Sequence, residues 1–433
     1  MSDTQRGSFV IKGARVVDPA SGTDGTRDIC VKDGVLVTAP EPGAEIIDAR
    51  GLAAAPGLVD MHVHFRDPGQ TEKEDILSGA LAAAAGGVTT AVCMPNTNPV
   101  IDTPELVRYV AEKAAGAAAR VLTYAAVTAG QEGRELADFR ALREAGAAAF
   151  SDDGNPVMSA ELLRRAMLAS RELGTFISSH CEDAGMVCDY AVNEGRISRL
   201  LGIPGRPAAA EEIMIARDAM LARDTGARIH IAHVSTARSV EIIRRAKNEG
   251  VSITAETCPQ YFALTEETVL EKGALARVNP PLRTEADRRA IIEGLRDGTL
   301  DAIATDHAPH TAEEKSRGLA DAPGGMAGLE TSLALALTAL YHAGELTLAE
   351  IIEKMSGAPA KILGIGAGTL APGAAADIAL FDPDEEWTVK PEEFRSRSRN
   401  TPFASARLRG RVAITFLRGG ISFARGSAPR PQM

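Results

Sequence analysis

The stretch GLVDMHVHFRDPG, residues 57–69, puts His62 and His64 two apart inside an apolar run, with Arg66 two positions further on. Side chains of a β-strand alternate between its faces, so an extended chain here sends all three to one side. Two readings compete. One is a pair of hydrogen-bonded core histidines; the other is a metal site, since two neutral imidazoles at this spacing can hold one ion from a single strand. The choice rests on what else converges on the same edge, and therefore on the fold.

From residue 58 to 345 short β-type runs alternate with amphipathic Ala/Leu/Glu/Arg segments, the pattern of βα units around a parallel sheet. Eight strand candidates can be read: LVDMHVHF (58–65), TTAVCMP (89–95), VLTYAAVT (121–128), AAAFS (147–151), TFISSHC (175–181), RIHIAHVS (228–235), SITAETC (252–258) and DAIATDHA (301–308). Helical segments such as PELVRYVAEKAAG and SVEIIRRAKNEG lie between them, several ending in the glycine expected after a helix C-terminus. The pattern predicts an α/β fold, a (β/α)8 TIM-type barrel. An open doubly wound sheet would usually carry a Gly-rich phosphate turn after its first strand, and none stands there.

The two ends differ from the middle. Residues 8–56 and 366–425 are short apolar runs broken by Gly, Pro and Asp, and they are expected to pair into one small composite β-domain. The expected division is 1–56 and 366–433 for that domain, with GSAPRPQM as a loose tail, and 57–365 for the barrel.

Composition narrows the function. A formal net charge of −11 argues against a nucleic-acid binder, so an anionic ligand must be met by local arginines. Five cysteines without a CxxC pair speak against a disulfide framework and for a reducing cytoplasm. No apolar leader opens the chain and no apolar run is long enough to span a bilayer, so a soluble protein with no membrane partner is expected.

Barrel enzymes of this kind do their chemistry at the C-terminal ends of the strands. There the sequence places His62 and His64, then Asp152 and Asp153, His180, His233 and Asp306, with Asn96, Asn279 and His310 on adjacent loops. Four histidines and two carboxylates at one mouth would make a two-metal site with a shared carboxylate. His230, three before His233, is expected to face the opposite side and be structural. His307 is expected to face away, and His342 to lie on a helix surface. For Asp152, SDDGNP is also a good turn sequence.

VDMHVHFRDPG, MPNTNP, SDDGNPV, SHCED, AHVSTARSV, NPPLR and ATDHAPHTAEEK, with NTPF at 400–403 and GTLAPGAAADIALFDP, together resemble the amidohydrolase superfamily and, within it, the bacterial type I dihydroorotases. The resemblance spans nearly the whole chain. It implies that His62, His64 and Asp306 hold one zinc, His180 and His233 a second, and Asp153 bridges them. It also implies Asp306 as general acid/base, with His64, Arg66, Asn96, Asn279, His310 and the Gly324–Gly325 backbone at the substrate. Arg66 and Asn96 would hold its carboxylate.

The implied reaction is the reversible cyclisation of N-carbamoyl-L-aspartate to (S)-dihydroorotate in pyrimidine biosynthesis, with a metal-bridged hydroxide as nucleophile for ring opening. A homodimer is expected, and association with an aspartate transcarbamoylase is left open. Three alternatives stand beside this reading. One is a hydantoinase, dihydropyrimidinase or allantoinase, many of which use a bridging carboxylated lysine; no lysine occurs here between Lys113 and Lys247. Another is an inactive scaffold for another pyrimidine enzyme, which would be expected to have lost ligands. The third is a structural metal module, which needs fewer ligands than converge here.

Overall fold

The computed structural model describes residues 7–187 and 190–426, so Cys188 and all of the expected tail except Gly426 lie outside the described residues. All eight expected barrel strands are present, at Leu58–Val63, Val88–Cys93, Arg120–Thr123, Phe150–Ser151, Phe176–Ser179, Arg228–Ile231, Ile253–Thr257 and Ala302–Ile303. The first three pair in parallel in one sheet and the last five in another. Parallel bridges Ala125↔Phe150 and Val63↔His307 join the two sheets at both seams and close the barrel.

Both faces of such strands are covered, which is why they read as apolar runs rather than as alternating ones. Outward residues such as Ala91, Val121, Phe150, Ile177 and Ile229 pack against the helices, through Ile76, Val107, Leu163, Met214 and Ile243. Val59, Met61, Val92, Met94, Tyr124, Phe176, Ala302 and Ala304 fill the lumen together with Ile362 and Leu363 of the helix Ala358–Leu363. The interior is therefore a packed plug with an open chemistry only at its upper end. Helix starts follow ordinary capping: Asp75 with Ser78, and Thr284 with Asp287, form reciprocal boxes.

The chain ends build an eight-stranded sheet. Ala53–Pro56 pairs antiparallel with Ile378–Thr388 and parallel with Phe9–Asp18, so the N- and C-terminal halves are hydrogen-bonded to each other. Phe9, Ile11, Val31, Ile47, Ile378, Ile414 and Phe416 form its core. From this sheet the segment between Thr388 and Arg407 leaves and runs back onto the barrel.

Candidate active site

Period-two alternation breaks in the first barrel strand, and the break aims the histidines. The ladder with the second strand shifts register between Asp60 and Val63. Met61 stays in the lumen while His62 and then His64 face the mouth. The Asp60 carboxylate, 3% exposed, accepts from the His62 and Thr305 backbone amides and so ties the irregular stretch to the chain just past the eighth strand. Irregularities of this kind commonly re-aim side chains beside active sites. Burial pushes the Asp60 carboxyl up to about 7.

Asp153 stands at the centre of the mouth. Its Oδ1 lies 3.4 Å from His62 Nε2, 3.3 Å from His180 Nδ1 and 3.4 Å from His233 Nε2. Its Oδ2 lies 3.5 Å from His64 Nε2. Two buried groups therefore share it: His62, His64 and Asp153 on one side, Asp153, His180 and His233 on the other. Asp306 Oδ1 joins the first group, 3.0 Å from His64 Nε2 and 3.6 Å from His62 Nε2. Burial alone would raise the Asp153 carboxyl, but His62 and His180 beside it hold it well below the usual carboxylate range. Burial likewise opposes a charge on His180, yet Asp153 and Glu182 bring it up to about 10. A buried carboxylate in this setting attracts positive charge, as protons on the histidines or as a metal ion in their place.

The residues fit divalent metal. His62 Nδ1 is 2.7 Å from Glu256 Oε1, which fixes the ring's proton on Nδ1 and turns the Nε2 lone pair toward Asp153. That Nε2 is fully buried and has no hydrogen-bond partner, an orphan that a metal bond would satisfy. His64 Nδ1 donates to Asn96 Oδ1 at 2.9 Å and likewise presents Nε2. His180 Nδ1 and His233 Nε2 lie 2.8 Å from each other and 3.3 and 3.4 Å from the same carboxylate oxygen, Asp153 Oδ1.

The expected substrate contacts form the rim. Arg66 lies past the end of the strand, which stops at Val63; it adopts φ 59° and reaches the mouth from a turn, not by strand alternation. Its guanidinium meets the Pro309 carbonyl at 3.3 Å and His310 Nε2 at 3.2 Å. His233 and Asp306 also have positive φ, 36° and 47°. Non-glycine residues in that region carry strain that clusters at functional sites. Gly324 abuts the Asn279 side chain so closely that a Cβ would fall 2.8 Å from its Cγ, and Gly325 has φ 133°. Burial, with Arg66 and Lys315 nearby, lowers His310 to about 3, so it is neutral.

Two expectations about the remaining histidines are corrected. His230 does not face the opposite side: it packs edge-on against the lumen residue Phe176, with Nε2 3.2 Å from Glu256 Oε2, because the chain twists out of strand geometry before His233. His342 is half-buried rather than on an open helix surface; its side chain is 13% exposed, and Nε2 donates to the Pro383 carbonyl. His307 does point away, toward Glu74 and the Gly328 amide. Asp152 turns from Asp153 and accepts from Val127 N at 2.7 Å and from Thr128, which is the turn role its sequence allows.

Sequence reasoning missed Glu256 and Lys315. A carboxylate inside a strand buried on both faces was the available signal for Glu256. Lys315 ends the short helix Ala312–Lys315 and resembles a solvated residue in sequence. It is buried, and its ammonium donates to the Ala274, Arg277 and Pro323 carbonyls at 2.9, 3.3 and 2.8 Å, joining the loop before Asn279 to the loop carrying Gly324.

Known proteins resemble this chain over nearly its whole length. A family model described as dihydro-orotase-like matches residues 51–239. The dihydroorotase of Clostridioides difficile (strain 630) is 48% identical over 420 residues, 96% of this chain and 99% of that one. That of Pelotomaculum thermopropionicum is 48% identical over 417 residues, 95% and 98% of the two chains. Among solved structures, the L-hydantoinase (dihydropyrimidinase) of Arthrobacter aurescens superposes with a TM-score of 0.88 at 27% identity, covering 98% of each chain.

Proposed function

This chain belongs to the dihydroorotase family, and on that premise we propose how its barrel mouth performs the reaction. The protein is a cyclic amide hydrolase that interconverts (S)-dihydroorotate and N-carbamoyl-L-aspartate. The observation that carries the reading is one carboxylate, Asp153, shared by two buried histidine groups beside Arg66. We assign two zinc ions to His62, His64 and Asp306 and to His180 and His233, with Asp153 between them. When bound, such ions supply Lewis acidity toward a ring carbonyl and toward water.

The chain's own groups do the rest. In ring opening, Asp306 takes the proton released by the attacking water and delivers it to the ring nitrogen as the C–N bond breaks. Ring closure runs the same transfer backwards and releases water. Arg66, whose guanidinium stands beside His310 and pairs with no carboxylate among the described residues, grips the carboxylate that both compounds retain, preferably through two parallel hydrogen bonds. Asn96 assists it. Asn279, His310 and the Gly324–Gly325 backbone hold the ring edge, and the absence of side chains at both glycines lets their loop lie against Asn279, Ala308 and His310.

A lysine-bridged hydantoinase is the second reading, and it fares worse. With no lysine between Lys113 and Lys247, the fourth strand has only Asp153 to offer as a bridge. Among the described residues no helix is long and apolar enough to cross a membrane. We further propose a cytoplasmic homodimer, a boundary between small domain and barrel at 56/57 and 365/366, and an aspartate transcarbamoylase as a partner to be sought by co-purification.

Purified metal-replete protein supplied with either compound should form the other. Closing the ring takes up one proton, because the open compound has two carboxylates and the ring has one. Lower pH should therefore move the equilibrium toward dihydroorotate. Failure to convert either compound with zinc, cobalt or manganese supplied contradicts the reading.

A further inference from the structure

Asn400 opens the NTPF stretch, which belongs in sequence to the C-terminal part of the chain and to none of the catalytic motifs. The structure brings it to the barrel mouth. The segment around it is sewn to the barrel: the Arg395 and Ser396 amides donate to Glu330, the Ser396 hydroxyl and Arg397 amide to the buried Glu74, and the Ser398 hydroxyl to the Lys73 carbonyl. At its end the Asn400 side chain is 6% exposed and both ends of its amide are used. Oδ1 accepts from the His310 amide at 3.0 Å, and Nδ2 donates to the Gly325 carbonyl at 3.0 Å. The Asn400 carbonyl accepts from Ala327 N at 2.8 Å.

We propose that Asn400 is a positioning residue of the substrate pocket, a bracket that sets the spacing between His310 and the Gly324–Gly325 backbone. The inference rests on the assignment of those groups to the substrate. Gly325 N is already bound to the Arg277 carbonyl at 2.9 Å, and the Gly324 carbonyl lies 2.9 Å from His310 Nε2. Asn400 supplies the remaining tie at the Gly325 carbonyl and anchors the backbone of His310 at the same time. One planar amide thus fixes two walls of the pocket from a segment outside the βα units. A primary amide is required for this, because one end must accept and the other donate. Aspartate keeps the acceptor for His310 but faces the Gly325 carbonyl with an oxygen.

The groups it positions bind the ground state and the transition state alike, so their loosening should raise KM more than it lowers kcat. Steady-state kinetics on dihydroorotate, with bound metal measured on the same samples, should be run on wild type, Asn400→Ala, Asn400→Asp and Ser398→Ala. Ser398→Ala loosens the same segment without touching the pocket. For both Asn400 variants KM should rise about tenfold, the scale of one or two hydrogen bonds lost. Their kcat should stay within about threefold and their metal content should not change, while Ser398→Ala should match wild type in KM. A KM within twofold of wild type in both Asn400 variants overturns the proposal. So does an equal rise in Ser398→Ala, or loss of folding in both Asn400 variants, either of which assigns Asn400 to stability alone. A wild-type protein inert toward dihydroorotate would instead refute the functional assignment beneath it.

Discussion

Glu256 Oε1 lies 2.7 Å from His62 Nδ1 while Glu256 Oε2 lies 3.2 Å from His230 Nε2, so one buried carboxylate joins a mouth histidine to a histidine in the lumen. Burial would raise Glu256, but its hydrogen bonds to His230 and His62 lower it to about 2. It stays ionised, holds the His62 tautomer and would make Nε2 a better donor to the proposed metal. Glu256→Gln keeps the shape and loses the charge, so metal affinity should fall about 10- to 100-fold. Competition with a chelator measures it, and unchanged affinity would remove Glu256 from the site.

Asp153 and Asp152 are neighbours with different jobs. Asp153→Ala should lose at least one metal and nearly all activity. Asp152→Ala should keep both metals and lose about 1–3 kcal/mol of stability, since its partners at Val127 and Thr128 are left unsatisfied. With Asp153 assigned as the bridge, a ready-made carboxylate, metal loading should not depend on bicarbonate. Restoration of metal binding by bicarbonate would contradict the assignment of Asp153.

Asp306→Asn tests proton transfer. Turnover should fall about 100- to 10,000-fold with the fold retained, as measured by circular dichroism beside the assay. Near-normal turnover would take the proton-carrying role from Asp306.

Much of this site was legible before the structure. Parallel strands covered on both faces leave long apolar runs, and polar residues interrupting them at their C-terminal ends had few places to point. What sequence could not convey was side-chain direction near those ends. A register shift at Asp60–Val63 and positive φ at Arg66, His233 and Asp306 break the period of two, so strict alternation misdirected His230 and placed Arg66 on a strand. Glu256 was visible only as an odd carboxylate in SITAETC. Asn400 was invisible as a pocket residue because 90 positions separate it from His310.

Glu330 gives a stability test by pH. Burial raises its carboxyl to about 7 from an ordinary 4.5, against the pull of the Ser396 and Arg395 amides. Between those values the folded protein holds a proton that the unfolded chain has released, so this group's contribution falls as pH rises from about 4.5 to 7. Glu330 keeps some contact with solvent, which limits the loss to about 1–2 kcal/mol. Glu330→Gln has no such proton to lose. Its urea stability relative to wild type should improve by that amount between pH 5 and pH 8, and a constant difference would contradict the shift.

The ring this mouth opens carries a carboxylate, and Arg66 is assigned to read it. The most direct measurement compares kcat/KM of metal-replete wild type and Arg66→Met for dihydroorotate and for dihydrouracil, the same ring without the carboxylate. Wild type should favour dihydroorotate by about 100-fold or more, as a charged hydrogen-bonded pair allows, and Arg66→Met should erase most of that preference by loss on dihydroorotate alone. A wild-type enzyme that opens dihydrouracil or hydantoin and ignores dihydroorotate would refute the assigned reaction, and an Arg66→Met variant that loses both rings equally would refute the role given to Arg66.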